Sequence, residues 1–271
     1  MASKHQQPEP SKTFERRIVL MGKTGVGKSQ SGNAILGLTG SEGFKVGLSS
    51  SSVTQMCEKK TREVGEKKLL VVDTPGLFHT RKTPAEVAKE LLQCAALISP
   101  GPHVLLLVMK LGSFSREDQS VLNFFQQFLE KEARHTIVLF TDEDKGDCQE
   151  FIKKNEGLKK FIDEGQVEFH VFTEEPDVDG LMQKIEKVVK KNGGGWCSND
   201  LFKGIEEIKE GEKEKAEKDS AAESVMRFLE RKEEIFDHIL EKIEMPIFGN
   251  MKNFTKCLVD LVVKLMPPEA H

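Results

Sequence analysis

The sequence predicts an α/β domain built on a doubly wound, mostly parallel sheet, followed by an α-helical C-terminal extension. Short, wholly apolar runs of strand length recur up to Phe172, and amphipathic stretches with a helical period separate them. Continuous apolar runs indicate strands that are buried on both faces of a parallel sheet. Alternation of such strands with helices is typical of a doubly wound fold. The glycine-rich segment Asn192–Gly195 ends this pattern and predicts a domain boundary.

Five apolar runs predict the central strands of this sheet. They are Ile18–Met21, Leu69–Val72, Val104–Met109, Ile137–Phe140 and Phe169–Phe172. A more polar run, Cys57–Val64, ends at Gly65-Glu66, which is typical of a tight turn. We therefore expect Cys57–Val64 to be an edge strand that forms a hairpin with Leu69–Val72.

Capping signals and apolar periodicity predict the helices between these strands. The stretch Thr83–Leu97 opens with a capping box that has proline at the first helical position. Ser115 and Asp118 cap a second helix, whose apolar residues repeat at helical spacing. Two further amphipathic stretches, Gln149–Asp163 and Gly180–Lys191, predict the remaining helices of the domain.

The pattern divides the chain into a disordered tail at residues 1–14, the α/β domain at 15–192 and a helical extension at 193–271. In the extension, the apolar stripe of Val225–Ile243 predicts either packing on the domain or self-association as a coiled-coil hairpin. The last helix, Phe254–Met266, has one strongly apolar face. Packing in a core or against a partner is the first interpretation, and association with a membrane surface is the alternative.

Composition and charge exclude several classes of function. The net charge of -4 gives no global field that favours nucleic acid, so we expect no nucleic-acid partner. The five cysteines never form a CxxC pair, and the seven histidines lack metal-ligand spacing. Met1–Lys12 carries no apolar signal sequence, and no run is long enough to span a membrane. These features favour a cytoplasmic protein with reduced thiols.

The segment Gly22–Ser29 matches the phosphate-binding pattern GxxxxGK[ST] at every fixed position. Its residues are Gly22, Lys23, Thr24, Gly25, Val26, Gly27, Lys28 and Ser29. Glycines allow successive backbone N–H groups to point at phosphate oxygens, and the following helix adds its positive end. Lys28 would reach the β- and γ-phosphates of a nucleotide, Ser29 would bind Mg²⁺, and Gln30 completes the candidate contacts. The alternative is a glycine-rich turn that arose by chance.

Two further segments are candidates for contact with the γ-phosphate and the metal. Asp73, at a predicted strand end, would act on Mg²⁺ through water, and the Gly76 N–H would contact the γ-phosphate. The alternative is an ordinary turn, because Asp, Pro and Gly dominate turns. Thr54 follows a serine- and glycine-rich loop, Gly40–Ser52, that suits a mobile segment. We expect Thr54 to bind Mg²⁺ and sense the γ-phosphate; an ordinary loop threonine is the alternative.

Together these segments resemble the immunity-associated GTPases, the GIMAP family. The matching stretches are Gly22–Gly37, Ser52–Cys57, Asp73–Phe78 and Ile98–Asp118. The last stretch is the most specific, since ordinary small GTPases lack it. The resemblance implies a Ras-like P-loop fold close to septins and chloroplast import GTPases. It also implies binding of GTP or GDP with Mg²⁺, and nucleotide-dependent homodimers or oligomers that can assemble on membranes.

Two departures from the family pattern lie where the guanine base is read. In such proteins a T/N-[K/R/H]-x-D box follows the fifth strand. Thr141 and Asp144 keep two positions of this box, and Asp144 would accept hydrogen bonds from guanine, but Asp142 stands at the basic position. Glu174 stands where a neutral amide is expected. A lost hydrogen bond typically costs about 1 kcal/mol, so we expect weaker and less guanine-selective binding.

The residues after Gly76 provide no group that positions an attacking water. Ras-type hydrolysis uses a glutamine there, whereas this chain has Leu77 and Phe78. We therefore nominate no catalytic residue and expect slow GTP hydrolysis at most. Arg81 and Lys82 are candidates to act across a dimer, with a solvated charge pair as the alternative.

The leading hypothesis is a guanine-nucleotide-controlled assembly switch in the cytoplasm, with peripheral contact to an intracellular membrane as a variant. The second is a degenerate nucleotide-binding scaffold that acts through its helices without selecting guanine. The third is an ATPase or small-molecule kinase on the same loop, for which the sequence supplies no acceptor site or lid.

Overall fold

A computed structural model describes residues 14–47, 57–76, 91, 94–141, 146–198, 202 and 206. The elements within these ranges are β1 (Phe14–Met21), α1 (Lys28–Leu36), β2 (Glu58–Val64), β3 (Lys67–Asp73), β4 (Val104–Lys110), α2 (Arg116–Leu129), β5 (Thr136–Thr141), α3 (Cys148–Lys154), α4 (Glu156–Gly165), β6 (Glu168–Phe172) and α5 (Val178–Lys191). Residues 94–98 are also helical, and two 3₁₀ turns span Gly40–Glu42 and Glu130–His135.

The described strands form one sheet in the order β2-β3-β1-β4-β5-β6. The β2–β3 pair is antiparallel, with Val64 opposite Lys67 around the Gly65-Glu66 turn. The other four pairs in this sheet are parallel. The predicted mostly parallel sheet and its edge hairpin are confirmed. Because the strand order reverses at β1, the carboxyl ends of β1 and β4 flank the crevice where ligands of such folds bind.

Helices cover both faces of the sheet, which explains why its strands are apolar throughout. On one face, α1 and α5 contribute buried side chains such as Ile35 and Ile185. On the other face, α2 and α4 contribute Phe125 and Leu158, among others. The side chains of Val104–Met109 in β4 are at most 2% exposed. Burial of each such side chain contributes about 1.5–3 kcal/mol, so this central strand anchors both layers.

Strand β1 begins at Phe14, four residues before the apolar run that predicts it. Phe14 is followed by three charged residues, Glu15, Arg16 and Arg17, so a criterion based on continuous apolar runs does not detect the start of this strand. Arg17 is nevertheless only 8% exposed, because its guanidinium donates to Gly101 O at 2.6 Å and to Glu15 Oε1 at 3.0 Å. Paired charges can therefore occupy a strand that sequence periodicity leaves out.

The single helix predicted over Gln149–Asp163 is two helices, α3 and α4. Asn155 separates them with an extended backbone, at φ −111° and ψ 90°. Its side-chain Nδ2 donates to Phe151 O at 2.8 Å, and Lys159 N donates to Asn155 O at 2.9 Å at the start of α4. A local side-chain bond of this kind gives asparagine an alternative to helical backbone pairing, which the apolar period does not reveal.

The chain continues to pack against the sheet domain beyond the predicted boundary at residue 192. Cys197 N donates to Pro102 O at 2.8 Å. Cys197 and Phe202 are 0% and 1% exposed and belong to the core on the α2 side of the sheet. Trp196 lies over the Arg17 guanidinium, 5.1 Å from the ring centre. The segment after the glycines is therefore attached to the domain by backbone, apolar and cation–π contacts.

Several predicted elements lie outside the described residues: residues 1–13 of the N-terminal tail, the start of the helix over Thr83–Leu97, and most of the C-terminal extension. The tail was predicted to include residue 14, which is wrong, because Phe14 already pairs in β1. Of the loop predicted to be mobile, Gly40–Ser52, the first part is described. There Phe44 is 2% exposed, and the Asn33 side chain pairs with both the N–H and the carbonyl of Phe44. Among the helices that the structure describes, none is long and apolar enough to cross a membrane.

Candidate nucleotide-binding site

The loop between β1 and α1 is the predicted phosphate-binding segment, Gly22–Ser29. Gly25 and Gly27 have φ angles of 80° and 87°, a left-handed conformation that glycine adopts without steric cost. Gly22 passes so close to β4 that a Cβ atom there would lie 2.3 Å from Val108 O. These glycines build a tight loop before a helix N-terminus, which is the geometry that receives phosphate groups.

Lys28, the first residue of α1, folds back into this loop. It is 7% exposed, and its Nζ donates to Gly22 O at 3.1 Å and to Lys23 O at 2.8 Å. A buried ammonium group is stable only when hydrogen-bonded, so the loop carbonyls hold this charge inside the turn. A cation at this place attracts anionic phosphate groups.

Two of the predicted metal-binding residues lie in contact. Ser29 Oγ donates to Asp73 Oδ2 at 2.6 Å, although the residues are 44 positions apart. Asp73 ends β3 and is 1% exposed. Hydroxyl and carboxylate oxygens suit Mg²⁺, which usually also keeps phosphate and water ligands. No group of three or more His, Cys, Asp or Glu side chains in the described ranges is arranged to hold a metal by itself, so phosphates and water would complete the shell.

Gly76, the predicted γ-phosphate contact, packs directly on the phosphate loop. A Cβ atom at Gly76 would lie 2.0 Å from Thr24 Oγ1 and 2.6 Å from Thr24 N. Only glycine fits this approach. Thr24 Oγ1 is buried and has no hydrogen-bond partner within the described part of the chain. The segment after β3 and the segment after β1 thus meet at Thr24, as the sequence motifs predict for a shared phosphate site.

Lys23 turns away from this loop toward α2. Its Nζ lies 2.6 Å from Asp118 Oδ2, and this carboxylate is 3% exposed. The same oxygen accepts from Ser115 N and Ser115 Oγ, and Asp118 N is 3.3 Å from Ser115 Oγ, which confirms the predicted helix cap. The Lys23 side chain therefore binds α2, while its backbone carbonyl supports Lys28.

A cavity of about 170 Å³ opens beside the phosphate loop, between α1 and the ends of β4, β5 and β6. It is lined by Gly25, Val26, Gly27, Gln30, Ser31, Ala34, Lys110, Thr141, Phe172, Thr173, Glu174 and Pro176. Thr141 Oγ1 donates to Val26 O at 2.9 Å and fixes the end of β5 to the loop. The predicted residues Gln30, Thr141 and Glu174 thus line one cavity at the carboxyl edge of the sheet, where folds of this class bind ligands.

The β6–α5 segment that carries Glu174 is held by the buried His170. Its Nε2 lies 2.9 Å from Asp177 O, and Asp177 Oδ1 accepts from Gly180 N at the start of α5. Burial lowers the pKa of His170, against the opposing effect of its bond to Asp177 O, and Lys184 lowers it further. The neutral ring therefore donates from Nε2 and fixes one end of the cavity wall.

The structure brings together the predicted residues Gly22–Gln30, Asp73, Gly76 and Thr141. Thr54, Asp142 and Asp144 lie outside the described residues, as do Leu77, Phe78, Arg81 and Lys82. No site role was predicted for Lys110, Asp118 or His170. A signal existed for Lys110, which ends a buried strand at the ligand-binding edge. None existed for the Asp118 contact with Lys23, because it depends on how distant elements meet.

Comparison with known proteins gives one family and several relatives. The AIG1 family model matches residues 16–219. The chain is 36% identical to GTPase IMAP family member 8 from Homo sapiens over 197 residues. This alignment covers 68% of this chain and 29% of that protein. Over 214 residues the chain is 34% identical to immune-associated nucleotide-binding protein 9 from Arabidopsis thaliana, which covers 71% of this chain and 60% of that protein. The chain thus spans less than two thirds of either relative.

Among solved structures, Toc33 from Arabidopsis thaliana is similar to this chain. A dimerization-deficient mutant of Toc33 gives a TM-score of 0.53 at 19% identity, over 65% of this chain and 85% of that one. Toc33 in complex with GDP and Mg²⁺ gives a TM-score of 0.51 at the same identity and coverage. At this identity the similarity shows the fold alone, and that fold is a P-loop GTPase domain.

Proposed function

The chain belongs to the AIG1 family, and from that membership we propose that it binds GTP and GDP with Mg²⁺ as a nucleotide-controlled assembly switch. The observation that carries the proposal is the 2.6 Å contact between Ser29 and Asp73 beside the buried Lys28. The names of the two relatives, a GTPase and a nucleotide-binding protein, support it.

Each group of the phosphate loop has one role in this proposal. Lys28 neutralises the β- and γ-phosphates, Ser29 and Asp73 hold Mg²⁺ together with Thr54, and Gly76 contacts the γ-phosphate. Bound Mg²⁺ supplies further neutralisation of the phosphate charge. The base occupies the cavity beside Gly25–Gly27, where Gln30 and Thr141 form its walls, and Asp144 reads the guanine edge.

Isothermal titration of the full chain with GTP, GDP and ATP, in Mg²⁺ and in EDTA, tests the proposal. We expect Mg²⁺-dependent binding of GTP and GDP. Lys28→Ala should weaken both by about a hundredfold, because charge-assisted hydrogen bonds contribute about 1.5–3 kcal/mol each. Lys190→Ala, which changes an exposed lysine of α5, is the matched control and should bind normally. A wild-type chain that binds none of the three nucleotides contradicts the proposal.

Glu174 supports a second candidate, a nucleotide-binding scaffold with reduced guanine selectivity. Glu174 lines the cavity that the base would occupy. A carboxylate there repels the carbonyl oxygen of guanine and accepts a hydrogen bond from the amino group of adenine. The ratio of the GTP and ATP dissociation constants separates the two candidates, since a strong preference for GTP excludes this one.

We also propose that GTP hydrolysis is slow or absent. Leu77 and Phe78 follow Gly76 in the sequence, and neither side chain holds a water molecule. Phosphate release under single-turnover conditions measures this step. A fast rate that does not change with protein concentration would exclude a slow switch, whereas a rate that rises with concentration indicates a group supplied across a dimer.

Assembly into a homodimer or oligomer is proposed to follow the nucleotide state. The support is that Toc33 has been solved as a dimerization-deficient mutant, which indicates that a related fold dimerizes. Light scattering of the full chain with GDP and with GMPPNP, over a range of protein concentrations, measures the mass directly. We expect a larger mass with GMPPNP; equal masses at every concentration contradict a nucleotide-controlled assembly.

A cytoplasmic location, with the helix over Phe254–Met266 packed on protein, completes the proposal. The support for this location is the cysteine pattern of the sequence, which has five cysteines and no CxxC pair. Liposome flotation of the full chain, against a truncation after Pro246, tests the packing. Flotation that the truncation abolishes would instead establish a peripheral membrane protein.

A further inference from the structure

The hydroxyl of Thr24 is buried and lacks a hydrogen-bond partner among the residues that the structure describes. It stands in the middle of the phosphate loop, and the backbone of Gly76 covers it at contact distance. A buried hydroxyl without a partner costs about 1–3 kcal/mol. Among the polar side chains of this loop, Lys23, Lys28 and Ser29 have partners, whereas Thr24 has none among the described residues.

The position of Thr24 within the loop indicates which ligand group would form a hydrogen bond with its hydroxyl. The cavity assigned to the base is lined by Gly25, Val26 and Gly27, and Thr24 does not line it. Thr24 instead faces Gly76, on the side of the loop where β3 ends at Asp73. A nucleotide whose base fills the cavity and whose phosphates follow the loop would reach Thr24 with the far end of its phosphate chain.

We propose that Thr24 Oγ1 donates a hydrogen bond to the terminal phosphate of a nucleoside triphosphate and so discriminates triphosphates from diphosphates. The inference rests on the proposed function, namely nucleotide binding at this loop. A diphosphate lacks the terminal group and leaves the hydroxyl unpaired. Because Gly76 packs on the same hydroxyl, the γ-phosphate contacts of Thr24 and Gly76 would form together.

The competing interpretation is that the Thr24 side chain only packs against Gly76. Two substitutions separate the interpretations because they divide the side chain into its parts. Thr24→Val keeps the shape and removes the hydroxyl, whereas Thr24→Ser keeps the hydroxyl and removes the methyl group. Packing would make Ser the more damaging change, and hydrogen bonding would make Val the more damaging one.

The experiment measures dissociation constants of GDP and GMPPNP by calorimetry for the wild-type chain and for its Thr24→Val and Thr24→Ser variants. We expect Thr24→Val to weaken GMPPNP by about tenfold, as for loss of a hydrogen bond to a charged oxygen, and to leave GDP unchanged. Thr24→Ser should keep the wild-type ratio of the two constants. Equal weakening of both nucleotides by Thr24→Val, or no weakening of either, overturns the inference.

Two further outcomes keep the result interpretable. If the wild type binds neither nucleotide, the proposed function fails rather than the role of Thr24. If Thr24→Val unfolds, as judged by circular dichroism, Thr24→Ala removes the hydroxyl without placing a methyl group in its position. An unchanged ratio of GMPPNP to GDP affinity in Thr24→Ala then overturns the inference.

Discussion

Lys23 and Lys28 lie in the same short loop, yet their side chains bind different parts of the protein. Lys28 donates to loop carbonyls and keeps its charge inside the loop. Lys23 binds the carboxylate of Asp118, which has only 3% of its side chain exposed and needs a countercharge. At the residue scale, burial of an acidic group on α2 therefore draws the Lys23 side chain out of the loop and leaves that of Lys28 inside it.

The Lys23–Asp118 pair should couple the phosphate loop to α2. Asp118→Asn leaves the Lys23 ammonium without a countercharge, and we expect it to lower the free energy of unfolding by about 3 kcal/mol. Lys23→Met in the same chain should restore part of the loss, because no unpaired charge then remains. A urea-unfolding double-mutant cycle measures the coupling. Additive effects of the two substitutions would contradict it.

Glu174 should reduce the preference for guanine. Glu174→Asn removes the negative charge from the cavity wall and provides an amide donor for a carbonyl oxygen. We expect the ratio of ATP to GTP dissociation constants to rise by about tenfold, as for one favourable hydrogen bond. Glu175→Gln, in the neighbouring position that does not line the cavity, is the control. An unchanged ratio in Glu174→Asn would show that this carboxylate does not contact the base.

At the element scale, β1 and the start of β4 are joined by a buried polar cluster at the edge away from the nucleotide site. Arg17 N donates to His103 Nδ1 at 3.0 Å, so the proton of this ring lies on Nε2. His135 Nδ1 in turn lies 3.1 Å from His103 O. Burial, then the charges of Arg17 and Arg16, lower the pKa of His103 to about 4.

This cluster should make the fold sensitive to mild acid. The pKa of His103 is about 4 in the folded protein against 6.5 ordinarily, so between these values only the unfolded chain takes up the proton. The contribution of the neutral His103 to the free energy of unfolding is therefore complete above pH 6.5 and is lost as the pH falls toward 4. The loss amounts to at most about 3.5 kcal/mol, at about 1.4 kcal/mol per pKa unit.

Urea unfolding at several pH values, for the wild type and His103→Gln, measures this contribution. The glutamine carbonyl can accept from Arg17 N but does not titrate. We expect the wild type to lose more stability than His103→Gln between pH 6.5 and 4. Burial also lowers the pKa of His135 and His170, so a smaller pH dependence should remain in the variant. Parallel curves would exclude His103 as the titrating group.

At the scale of the whole molecule, the glycines Gly193–Gly195 do not end the packed region. Cys197 and Phe202 lie in the same core as Phe125 of α2. Gly101, just before β4, leaves room for the backbone at Cys197, because a Cβ atom at Gly101 would lie 2.3 Å from Cys197 O. The chain after the glycines thus completes one face of the sheet domain.

Removal of this segment should destabilise the domain. A chain that ends at Asn192 loses the buried Cys197 and Phe202 side chains, and Phe202→Ala alone should cost about 3–5 kcal/mol. A chain that ends at Glu206 keeps both and is the matched control. Thermal unfolding of the three variants gives the order of stability. If the chain that ends at Asn192 had the same melting temperature as the chain that ends at Glu206, the segment would not contribute to the core.

The sequence predicted most of the fold and the chemical parts of the site, because both depend on local rules. Runs such as Val104–Met109 mark buried strands, and Gly22–Ser29 matches a pattern whose glycines are required by its own backbone angles. The break at Asn155 was not predicted, since a side-chain bond to Phe151 O competes there with the helical period. The charged residues at the start of β1 were not predicted as part of the strand for a similar reason, because their burial depends on partners elsewhere in the fold.

By itself, then, the sequence determined the order of strands and helices and the phosphate loop, which follow from residue spacing and glycine stereochemistry. The motifs predicted that Ser29, Asp73 and Gly76 share one site, but only the tertiary structure decided which atoms make contact. Ser29 reaches Asp73 across 44 positions, Lys23 reaches Asp118 across 95, and Gly76 covers the Thr24 hydroxyl. Such contacts depend on the order of the strands in the sheet, as distinct from their order along the chain, and on how closely two loops approach. Side-chain patterns along the chain do not encode these distances, because packing sets them once the sheet has formed.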